Sequence, residues 1–342
     1  MKIEIVGDIH QRFELPYASA IKDGRRSEWK EIKEKIIETA KICDAVVLLG
    51  DFYNARHNHS TVVKESIDLL NALGNKEIHI ISGNHCRYGE STALDFIQNL
   101  QHPNWFVYTR PQLTVIGKTP AMMIPFITPA LLGVETKEEG IKTLIDMFLE
   151  ESTPLAFIHQ GISGSSINSI PVDFFEEIVL PQKEISEHFA YVFAGHVHGK
   201  QFLPPNIQIT GSIFTANMGE QEKSIWVYDT DTNKTEEVKL PVRGLYKVEW
   251  ENEQQFQKYG IPDNSIIKCI VTDRSVSLDF VKKTLSRFDA SLIIEQYPDE
   301  RQKIHFEEGT LDLSVDNLLK LYADAKKINY SDLREGFNLI KT

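Results

Sequence analysis

The chain has little of several features that assign a sequence to a special class of protein. Only three of its 342 residues are cysteines (Cys43, Cys86 and Cys269), an odd and unpatterned set. Such a set excludes a disulfide framework or a zinc–cysteine module and fits a reducing cytosol. No apolar run approaches the roughly 18 residues that a membrane-spanning helix needs, so we expect no membrane association. The first residues read as a strand rather than an apolar leader, so we expect no signal peptide.

Positive charge is also scarce. The chain has 37 Lys and Arg against 49 Asp and Glu, which gives a formal net charge of -12. This balance excludes a protein whose whole surface binds nucleic acid nonspecifically. It does not exclude a polyanionic substrate, because bound divalent metals and a few local basic residues can reverse the field at one site. The length allows one large domain and a smaller one.

Five short polar motifs stand directly after apolar, β-branched runs. In chain order they are Gly7-Asp8-Ile9-His10, Gly50-Asp51, Gly83-Asn84-His85, His159 and Gly195-His196-Val197-His198. Amphipathic segments with helical spacing separate the first runs; residues 28–41 are one of them, with Ser27 as the expected N-cap. Strands alternating with helices are typical of a layered α/β domain, in which ligands gather at the carboxyl ends of the strands.

The motifs together supply eight polar side chains: Asp8, His10, Asp51, Asn84, His85, His159, His196 and His198. Five of the 11 histidines belong to this set. A mixed nitrogen and oxygen set of this size exceeds what one ion needs, and it suits two divalent metals such as Mn²⁺ or Fe²⁺. Thiolates are absent from it, which disfavours structural zinc. Two metals about 3.5–4 Å apart form the usual arrangement for hydrolysis of phosphate esters.

The five ordered motifs resemble those of the calcineurin-like metallophosphoesterases, over about the first 200 residues. The resemblance implies a four-layer α/β sandwich of two mixed sheets flanked by helices, with Mn²⁺ as the expected ion and Fe²⁺ or Mg²⁺ as alternatives. It implies that His85 orients the phosphate and protonates the leaving oxygen as general acid. The implied ligands of the first metal are Asp8, His10, Asp51 and His198. Those of the second are the bridging Asp51 with Asn84, His159 and His196.

A narrower resemblance, to the SbcD-type DNA repair nucleases, rests on other residues: His159-Gln160-Gly161, Thr210-Gly211-Ser212, Met218-Gly219-Glu220 and Glu222-Lys223. It implies a nuclease domain (1–243), a small α/β capping domain that binds DNA (244–308) and C-terminal helices (309–342) that bind an SbcC-type SMC-like ATPase. The expected activity is exonuclease and endonuclease cleavage of DNA in repair, recombination or replication. The expected assembly is a homodimer that binds the ATPase partner. The protein is expected to be cytoplasmic and to be encoded by a bacterium or a phage.

Two positions depart from the family pattern. Cys86 stands where many relatives carry Asp, and we expect it to be a small, half-buried residue rather than a nucleophile. Asn54 stands where some relatives carry a histidine that contacts the phosphate. We expect Asn54 and Arg12 to contact substrate, whereas Arg25, Arg26 and Lys200 either contact the DNA backbone or form an ordinary solvated surface.

Two rival functions stay open at this stage. One is a phosphodiesterase of the same superfamily that acts on a small molecule or cyclic nucleotide, or an enzyme acting on a phosphoprotein. The other is a metal-free scaffold. A scaffold has no chemical reason to keep a cluster of like imidazoles, and the capping unit and the Gly211–Glu220 match disfavour the small-molecule enzyme. For the middle of the chain we expect a helix over residues 90–100 and a loop over 163–169.

Overall fold

The computed structural model describes most of the chain. The described residues are 1–11, 25–89, 91–150, 153–215, 222–263, 265–288, 290–295, 319–320, 322–324, 329–331 and 333–334. None of the helices in this part of the chain combines the length and the apolar character that crossing a membrane requires. Arg12, residues 216–221 and most of the predicted C-terminal helices lie outside the described residues.

Fifteen strands form the three main sheets. In chain order they are β1 (Lys2–Val6), β2 (Ala45–Leu48), β3 (Glu77–Ile81), β4 (Trp105–Tyr108), β5 (Gln112–Ile116), β6 (Thr119–Ile124), β7 (Leu155–Ile158), β8 (Tyr191–Ala194), β9 (Gln201–Leu203), β10 (Ile207–Ile209), β11 (Ser224–Asp229), β12 (Lys234–Lys239), β13 (Leu245–Glu249), β14 (Ile266–Val271) and β15 (Ala290–Glu295). The described helices are α1 (Arg26–Ala40), α2 (Ser60–Ala72), α3 (Asp95–Asn99), α4 (Pro129–Leu132), α5 (Lys137–Glu150), α6 (Gln182–His188), α7 (Gln255–Lys258) and α8 (Leu278–Leu285).

Two six-stranded mixed sheets dominate the fold. The first has the order β12-β11-β1-β2-β3-β4, with β1 to β4 parallel and β11 antiparallel to β1. The second has the order β9-β10-β8-β7-β6-β5, with β10, β8, β7 and β6 parallel and the two outer strands antiparallel to their neighbours. In each sheet, therefore, several carboxyl ends of parallel strands lie side by side at one edge.

The alternation of side chains along the strands produces four layers. In β2, Ala45 and Val47 pack into a core between the two sheets, whereas Val46 and Leu48 face the layer of α1 and α2. The outer face of the second sheet packs in the same way against α5 and α6, in a core that includes Phe148. Runs of Val, Ile and Leu that are buried on both faces are what parallel strands require. The predicted four-layer α/β sandwich is confirmed.

A smaller α/β element follows the sandwich. It consists of a three-stranded sheet in the order β13-β14-β15 with α7 and α8, and β13 pairs with β14 in parallel. Three aromatic residues hold its helices to its sheet: Trp250 packs against Phe256 and Phe280, with ring centroids 6.1 Å apart in both pairs. The expected small α/β unit is therefore present.

The chain divides into two compact units. One comprises Met1–Ile270 with Val276–Ile294, and the other comprises Val271–Ser275 with Glu295–Thr342. In the second unit, the backbone and hydroxyl of Ser275 both donate to the Asp273 carboxylate in a tight turn. The predicted domain boundaries after residues 243 and 308 stay predictions, and the second of them lies outside the described residues.

The beginning of α1 differs from the prediction. The helix starts at Arg26 with Arg25 in the N-cap position, so the prediction of Ser27 as the cap was wrong. The guanidinium of Arg25 donates through two nitrogens to the Glu28 carboxylate, at 2.5 and 2.6 Å. The N-cap therefore lies two residues earlier than the predicted cap at Ser27, and the bidentate charged pair between Arg25 and Glu28 stabilises this first turn.

The helix predicted over residues 90–100 is confined to α3. Before it, Arg87–Tyr88 pairs with Ser91–Thr92 as a short antiparallel ladder. Thr92 prevents the helix from starting earlier, because its hydroxyl accepts from the Leu94 N–H and its own N–H donates to the Asp95 carboxylate. The predicted loop over 163–169 also contains a strand, Ser166–Ile167, which pairs with Ile170–Pro171.

Candidate metal centre

The carboxyl ends of five strands meet at one edge of the sandwich. Asp8 and His10 follow β1, Asp51 follows β2, and Asn84 and His85 follow β3. From the second sheet, His159 follows β7, and His196 and His198 follow β8. A hydrogen bond links the two sheets here, because the Nδ1–H of His159 donates to the Leu49 carbonyl at 2.8 Å. The structure therefore brings together all eight side chains of the predicted constellation.

The backbone at this edge is locally strained. His10, Asp51 and His196 have positive φ values of 44°, 37° and 75°, a region that non-glycine residues seldom occupy. Such conformations cost of the order of 1–3 kcal/mol each and persist only where the surroundings impose them. In this molecule they turn three of the predicted ligand side chains inward.

Two glycines leave room for the carboxylates. A Cβ on Gly83 would lie 2.1 Å from the Asp51 Oδ1 atom, and one on Gly195 would lie 2.5 Å from the Asp8 Oδ1 atom. Both distances are far below contact, so any larger residue would displace a predicted ligand. These two motif glycines are thus explained by the close approach of backbone to carboxylate.

A first donor group surrounds the Nε2 atom of His10. This atom lies 2.8 Å from His198 Nε2, 3.7 Å from Asp51 Oδ2 and 4.0 Å from Asp8 Oδ2. The Asp8 carboxylate also accepts from the backbone N–H of His196, which holds it in place. These four residues are the set that the resemblance assigns to the first metal.

A second donor group surrounds the Oδ1 atom of Asn84. It lies 3.3 Å from His159 Nε2 and 3.1 Å from His196 Nδ1. His159 Nε2 is in turn 3.4 Å from Asp51 Oδ2. Because the same Asp51 oxygen also faces His10, this carboxylate lies between the two donor groups.

The residues present fit divalent metals. With the Nδ1–H of His159 bonded to Leu49, the Nε2 atom of that ring faces two acceptors, the oxygens of Asp51 and Asn84. Acceptors that converge in this way are stable only with a cation among them, either a proton or a metal ion. Imidazole, carboxylate and amide donors are the set that Mn²⁺ and Fe²⁺ accept. Groups of Asp and His within ligand reach of one another recur here, including Asp8 with Asp51 and His159.

The electrostatics of the site favour ionised carboxylates. Burial alone would raise the pKa of Asp51, but His159 and His10 outweigh it, so the pKa lies below its usual value. Burial lowers the pKa of His10 to about 4, which leaves its ring neutral and able to donate a lone pair. Burial also opposes the charged form of His159, yet the carboxylates of Asp51 and Asp8 raise its pKa to about 9. In the metal-free protein a proton on His159 therefore supplies part of the missing positive charge.

His85 is the exposed member of the constellation. Its ring packs edge-on against His10, with the centroids 4.8 Å apart, and its Nδ1 lies 3.3 Å from the backbone carbonyl of Asn54. Since a carbonyl only accepts, this contact places a proton on Nδ1, and Nε2 is the nitrogen that the backbone does not bind. The resemblance keeps His85 outside the ligand set, and only the doubly protonated ring would have a proton at Nε2 to give to a leaving group.

Comparison with known proteins identifies the family. The profile of the calcineurin-like phosphoesterases matches residues 1–200, which is more than half of the chain and includes every strand end described above. The chain belongs to the calcineurin-like phosphoesterases. The family uses divalent metals, in accord with the two donor groups.

Two curated relatives are both named elongation factor G 2. The protein of Borreliella afzelii (strain PKo) is 23% identical over 208 residues, which cover 56% of this chain and 31% of the relative. The protein of Borreliella burgdorferi (strain ATCC 35210 / DSM 4680 / CIP 102532 / B31) is 20% identical over 337 residues, which cover 91% of this chain and 47% of the relative. The chain thus spans about a third to about half the length of these relatives.

Two solved structures with some similarity to this chain are named for an activity. One is a novel archaeal phosphodiesterase, 14% identical, with a TM-score of 0.35 over 70% of this chain and 100% of that one. The other is a putative 5'-nucleotidase from Staphylococcus aureus in complex with alpha-ketoglutarate, 14% identical, with a TM-score of 0.42 over 70% of this chain and 52% of that one. At such scores these similarities add nothing to the assignment of the chain to the calcineurin-like phosphoesterases.

Two of the basic residues considered for DNA contact, Arg25 and Lys200, bind other groups of the protein. Arg25 is buried, and its guanidinium bonds Glu28 and the Thr215 carbonyl, so a contact of Arg25 with DNA is wrong. The ammonium of Lys200 pairs with two carboxylates, Glu237 at 2.5 Å and Glu222 at 3.3 Å. Arg12 lies outside the described residues, so its predicted role stays a prediction.

Cys86 is fully buried next to the site rather than half-buried as expected. Burial raises the pKa of its thiol to about 12, so the thiolate needed by a nucleophile does not form near neutral pH. The thiol faces the Tyr53 carbonyl, 3.6 Å away. Cys86 is therefore a packing residue, and the exclusion of a nucleophilic role agrees with its surroundings.

One polar residue at the site was missed by sequence reasoning. The Glu177 carboxylate lies 2.9 Å from His196 Nε2, on the side of the ring away from Asn84. Glu177 lies in an irregular stretch between a 3-10 turn (Val172–Phe174) and the short strand Val179–Leu180. Neither spacing nor strand position could have identified it, because only tertiary packing brings this stretch to the end of β8.

Proposed function

We propose that the chain is a Mn²⁺-dependent, two-metal phosphodiesterase that cleaves DNA as the nuclease subunit of an SbcCD-type complex. The observation that carries the proposal is the position of Asp51. Its Oδ2 atom faces the first donor group through His10, at 3.7 Å, and the second through His159, at 3.4 Å. A carboxylate shared by two donor groups is what a two-metal phosphoesterase needs.

Bound metals would supply Lewis-acid activation of water and neutralise the charge on the phosphoryl oxygens. The protein's own residues supply the rest. Asp8, His10, Asp51 and His198 would hold one ion, and Asp51, Asn84, His159 and His196 the other. His85 would hold a proton at Nε2 for the leaving oxygen, with its ring fixed by the Asn54 carbonyl.

Support for the nuclease branch comes from the residues around His198. The His198 carbonyl accepts from the Ser212 N–H at 3.1 Å and from the Lys223 ammonium at 2.9 Å. Both donors belong to the stretches that resemble the SbcD-type enzymes, so these stretches have a direct role in holding a predicted ligand loop. The small α/β unit after β12 stands where that branch carries its capping domain.

The proposed assembly follows the same resemblance. We propose a homodimer, with residues 309–342 binding an SbcC-type SMC-like ATPase that admits DNA ends. The small unit of residues 244–308 would bind DNA.

A phosphodiesterase of small molecules or cyclic nucleotides is the second candidate. The pairing of Lys200 with Glu222 and Glu237 favours it, because a lysine bound by two carboxylates is poorly suited to hold a long DNA backbone. The net charge of -12 points the same way. A small diester would need only the metals and His85.

The deciding measurement is hydrolysis, with Mn²⁺, of linear duplex DNA beside bis-p-nitrophenyl phosphate and a cyclic nucleotide. The proposal expects nucleotides to be released from DNA ends, with activity lost in EDTA and in His85→Gln. The matched control is His57→Gln, an exposed histidine on the nearby loop, which should retain full activity. Turnover of the small diesters alone, in a protein that captures no SMC-like ATPase, would overturn the nuclease and support the second candidate.

A further inference from the structure

Glu177 and His196 form a partly enclosed pair. The distance between His196 Nε2 and the Glu177 carboxylate oxygen is 2.9 Å, and the two side chains are only 10% and 16% exposed. The ring of Phe126 packs against the same histidine, with the centroids 5.5 Å apart. His196 thus has one nitrogen directed to a carboxylate and the other to the metal centre.

The hydrogen bond determines which nitrogen can bind a metal. A carboxylate accepts hydrogen bonds, so the proton of a neutral His196 lies on Nε2 and the lone pair on Nδ1. Nδ1 is the atom that lies 3.1 Å from Asn84 Oδ1. His159 has the opposite arrangement, because its Nδ1–H is bonded to Leu49 and its Nε2 faces Asn84. The two histidines therefore present different nitrogens to the same amide oxygen.

The residues after His159 hold Glu177 in place. The Gln160 side-chain amide donates to the Ile178 carbonyl at 2.6 Å, while its oxygen accepts from the Ile127 N–H at 3.0 Å. Gly161 leaves room for the carboxylate, since a Cβ there would lie 2.9 Å from Glu177 Oε1. The His-Gln-Gly motif thus supplies one predicted ligand and the two residues that seat the carboxylate beside another.

We propose that Glu177 is a positioning residue for the second metal. It holds His196 as the tautomer with Nε2–H, so that Nδ1 is directed at the ion together with Asn84 and His159. A carboxylate behind a ligand histidine fixes the ring and increases its basicity, and removal of such partners costs roughly 10–100-fold in metal affinity. The inference rests on the two-metal assignment made under the proposed function, but not on the nature of the substrate.

The test is Mn²⁺ binding by the full chain, measured by calorimetry and by electron paramagnetic resonance, with Mn²⁺ alone as the probe. We expect two bound ions in the wild type. In Glu177→Gln and Glu177→Ala, one ion should bind about 10–100-fold more weakly and the other unchanged. Glu176→Gln is the matched control, because Glu176 is an exposed neighbour with the same charge, and it should bind both ions as the wild type does.

A second measurement distinguishes positioning from a merely structural role. Nitrogen-15 NMR of the metal-free protein should report the Nε2–H tautomer for His196 in the wild type and in Glu176→Gln, and a mixture in Glu177→Ala. The thermal midpoint of the metal-free variants should stay near that of the wild type. Equal weakening of both ions together with a lowered midpoint would overturn the inference, as would unchanged affinity in Glu177→Gln. A wild type that binds no Mn²⁺ would instead overturn the two-metal function itself.

Discussion

Ionisable groups buried inside the strands of the sandwich and those buried at strand ends differ in their charge state. Glu4 and His79 lie inside β1 and β3, whereas Asp51 and His159 come just after β2 and β7, and all four are buried. In the strand bodies, burial raises the pKa of Glu4 well above its usual value and lowers that of His79 to about 4, so burial favours the neutral form of both groups. At the strand ends the pKa of Asp51 is lowered and that of His159 is raised to about 9, although burial opposes both shifts.

The difference shows that the depth of burial does not decide the charge state. Among the residues that the structure describes, no hydrogen-bond partner reaches either carboxyl oxygen of Glu4. Asp51 instead accepts the backbone N–H of His85 at 2.9 Å and faces two imidazoles. A buried group stays charged only where opposite charge and hydrogen bonds replace the lost water. The strand ends supply both, and this is why metal chemistry can take place there.

The largest expected effect comes from Asp51→Asn, which removes the charge shared by the two donor groups. Turnover should fall roughly 10³-fold or more, and tight Mn²⁺ binding should be lost. The fold should remain, because the amide oxygen can still accept from the His85 N–H. Calorimetry would measure Mn²⁺ binding, and circular dichroism would show whether the fold remains. Asp44→Asn, at the other end of the same strand, is the control; a fully active Asp51→Asn protein would disprove the two-metal assignment.

The next effect concerns the backbone of the strand end. Gly50 has a φ of +98°, and a Cβ there would lie 1.8 Å from His159 Nδ1, so Gly50→Ala should displace that ring. Gly74→Ala is the matched control, with a φ of +74° and nothing within 4 Å of the added methyl group. In urea unfolding, the free energy of unfolding should fall by about 2 kcal/mol more in Gly50→Ala than in Gly74→Ala. Equal losses would mean that the strand end tolerates overpacking as an open turn does.

His79, which lies inside β3, should contribute to the pH dependence of stability. The folded pKa of His79, about 4, lies below the value of about 6.5 in an unfolded chain. Its contribution to stability is therefore present above pH 6.5 and is lost as the pH falls towards 4. Between pH 7.5 and 5 this loss is on the order of 2 kcal/mol. In urea unfolding with EDTA present, the change in unfolding free energy between pH 7.5 and 5 should be smaller by that amount in His79→Phe than in the wild type. An unchanged pH dependence would contradict this prediction.

The smallest effect is expected for Asn54→Ala. Its backbone carbonyl faces His85 Nδ1 at 3.3 Å, and alanine keeps that carbonyl, so the orientation of His85 should persist. Turnover of a small diester should stay within about threefold of the wild type. A loss of tenfold or more would show instead that the side chain contacts substrate, as the sequence predicts.

Much of the site could be predicted because its residues follow a local rule. Polar motifs after apolar runs mark the carboxyl ends of parallel strands, and these ends must lie side by side once the strands pair. The eight residues from Asp8 to His198 were found in this way. The same rule could not find Glu177, which lies in irregular chain, nor reveal that Asn54 acts on His85 through its backbone.

The errors in the fold have a common cause. The sequence pattern predicted a helix from residue 90 and a serine cap at Ser27. Side-chain contacts determined both beginnings instead, through Thr92 with Asp95 and through Arg25 with Glu28. Such contacts depend on where a few atoms come to lie after packing, which periodicity does not report.

By itself the sequence determined the layered α/β class, the family and the set of side chains at the strand ends, because each depends on patterns only a few residues long. Only the tertiary structure decided which atoms face one another. It placed the Asp51 oxygen between His10 and His159, bonded His159 to Leu49 across the two sheets, and set Glu177 behind His196. These arrangements join residues far apart in the chain, and they arise only when two sheets pack and exclude water from the edge they share.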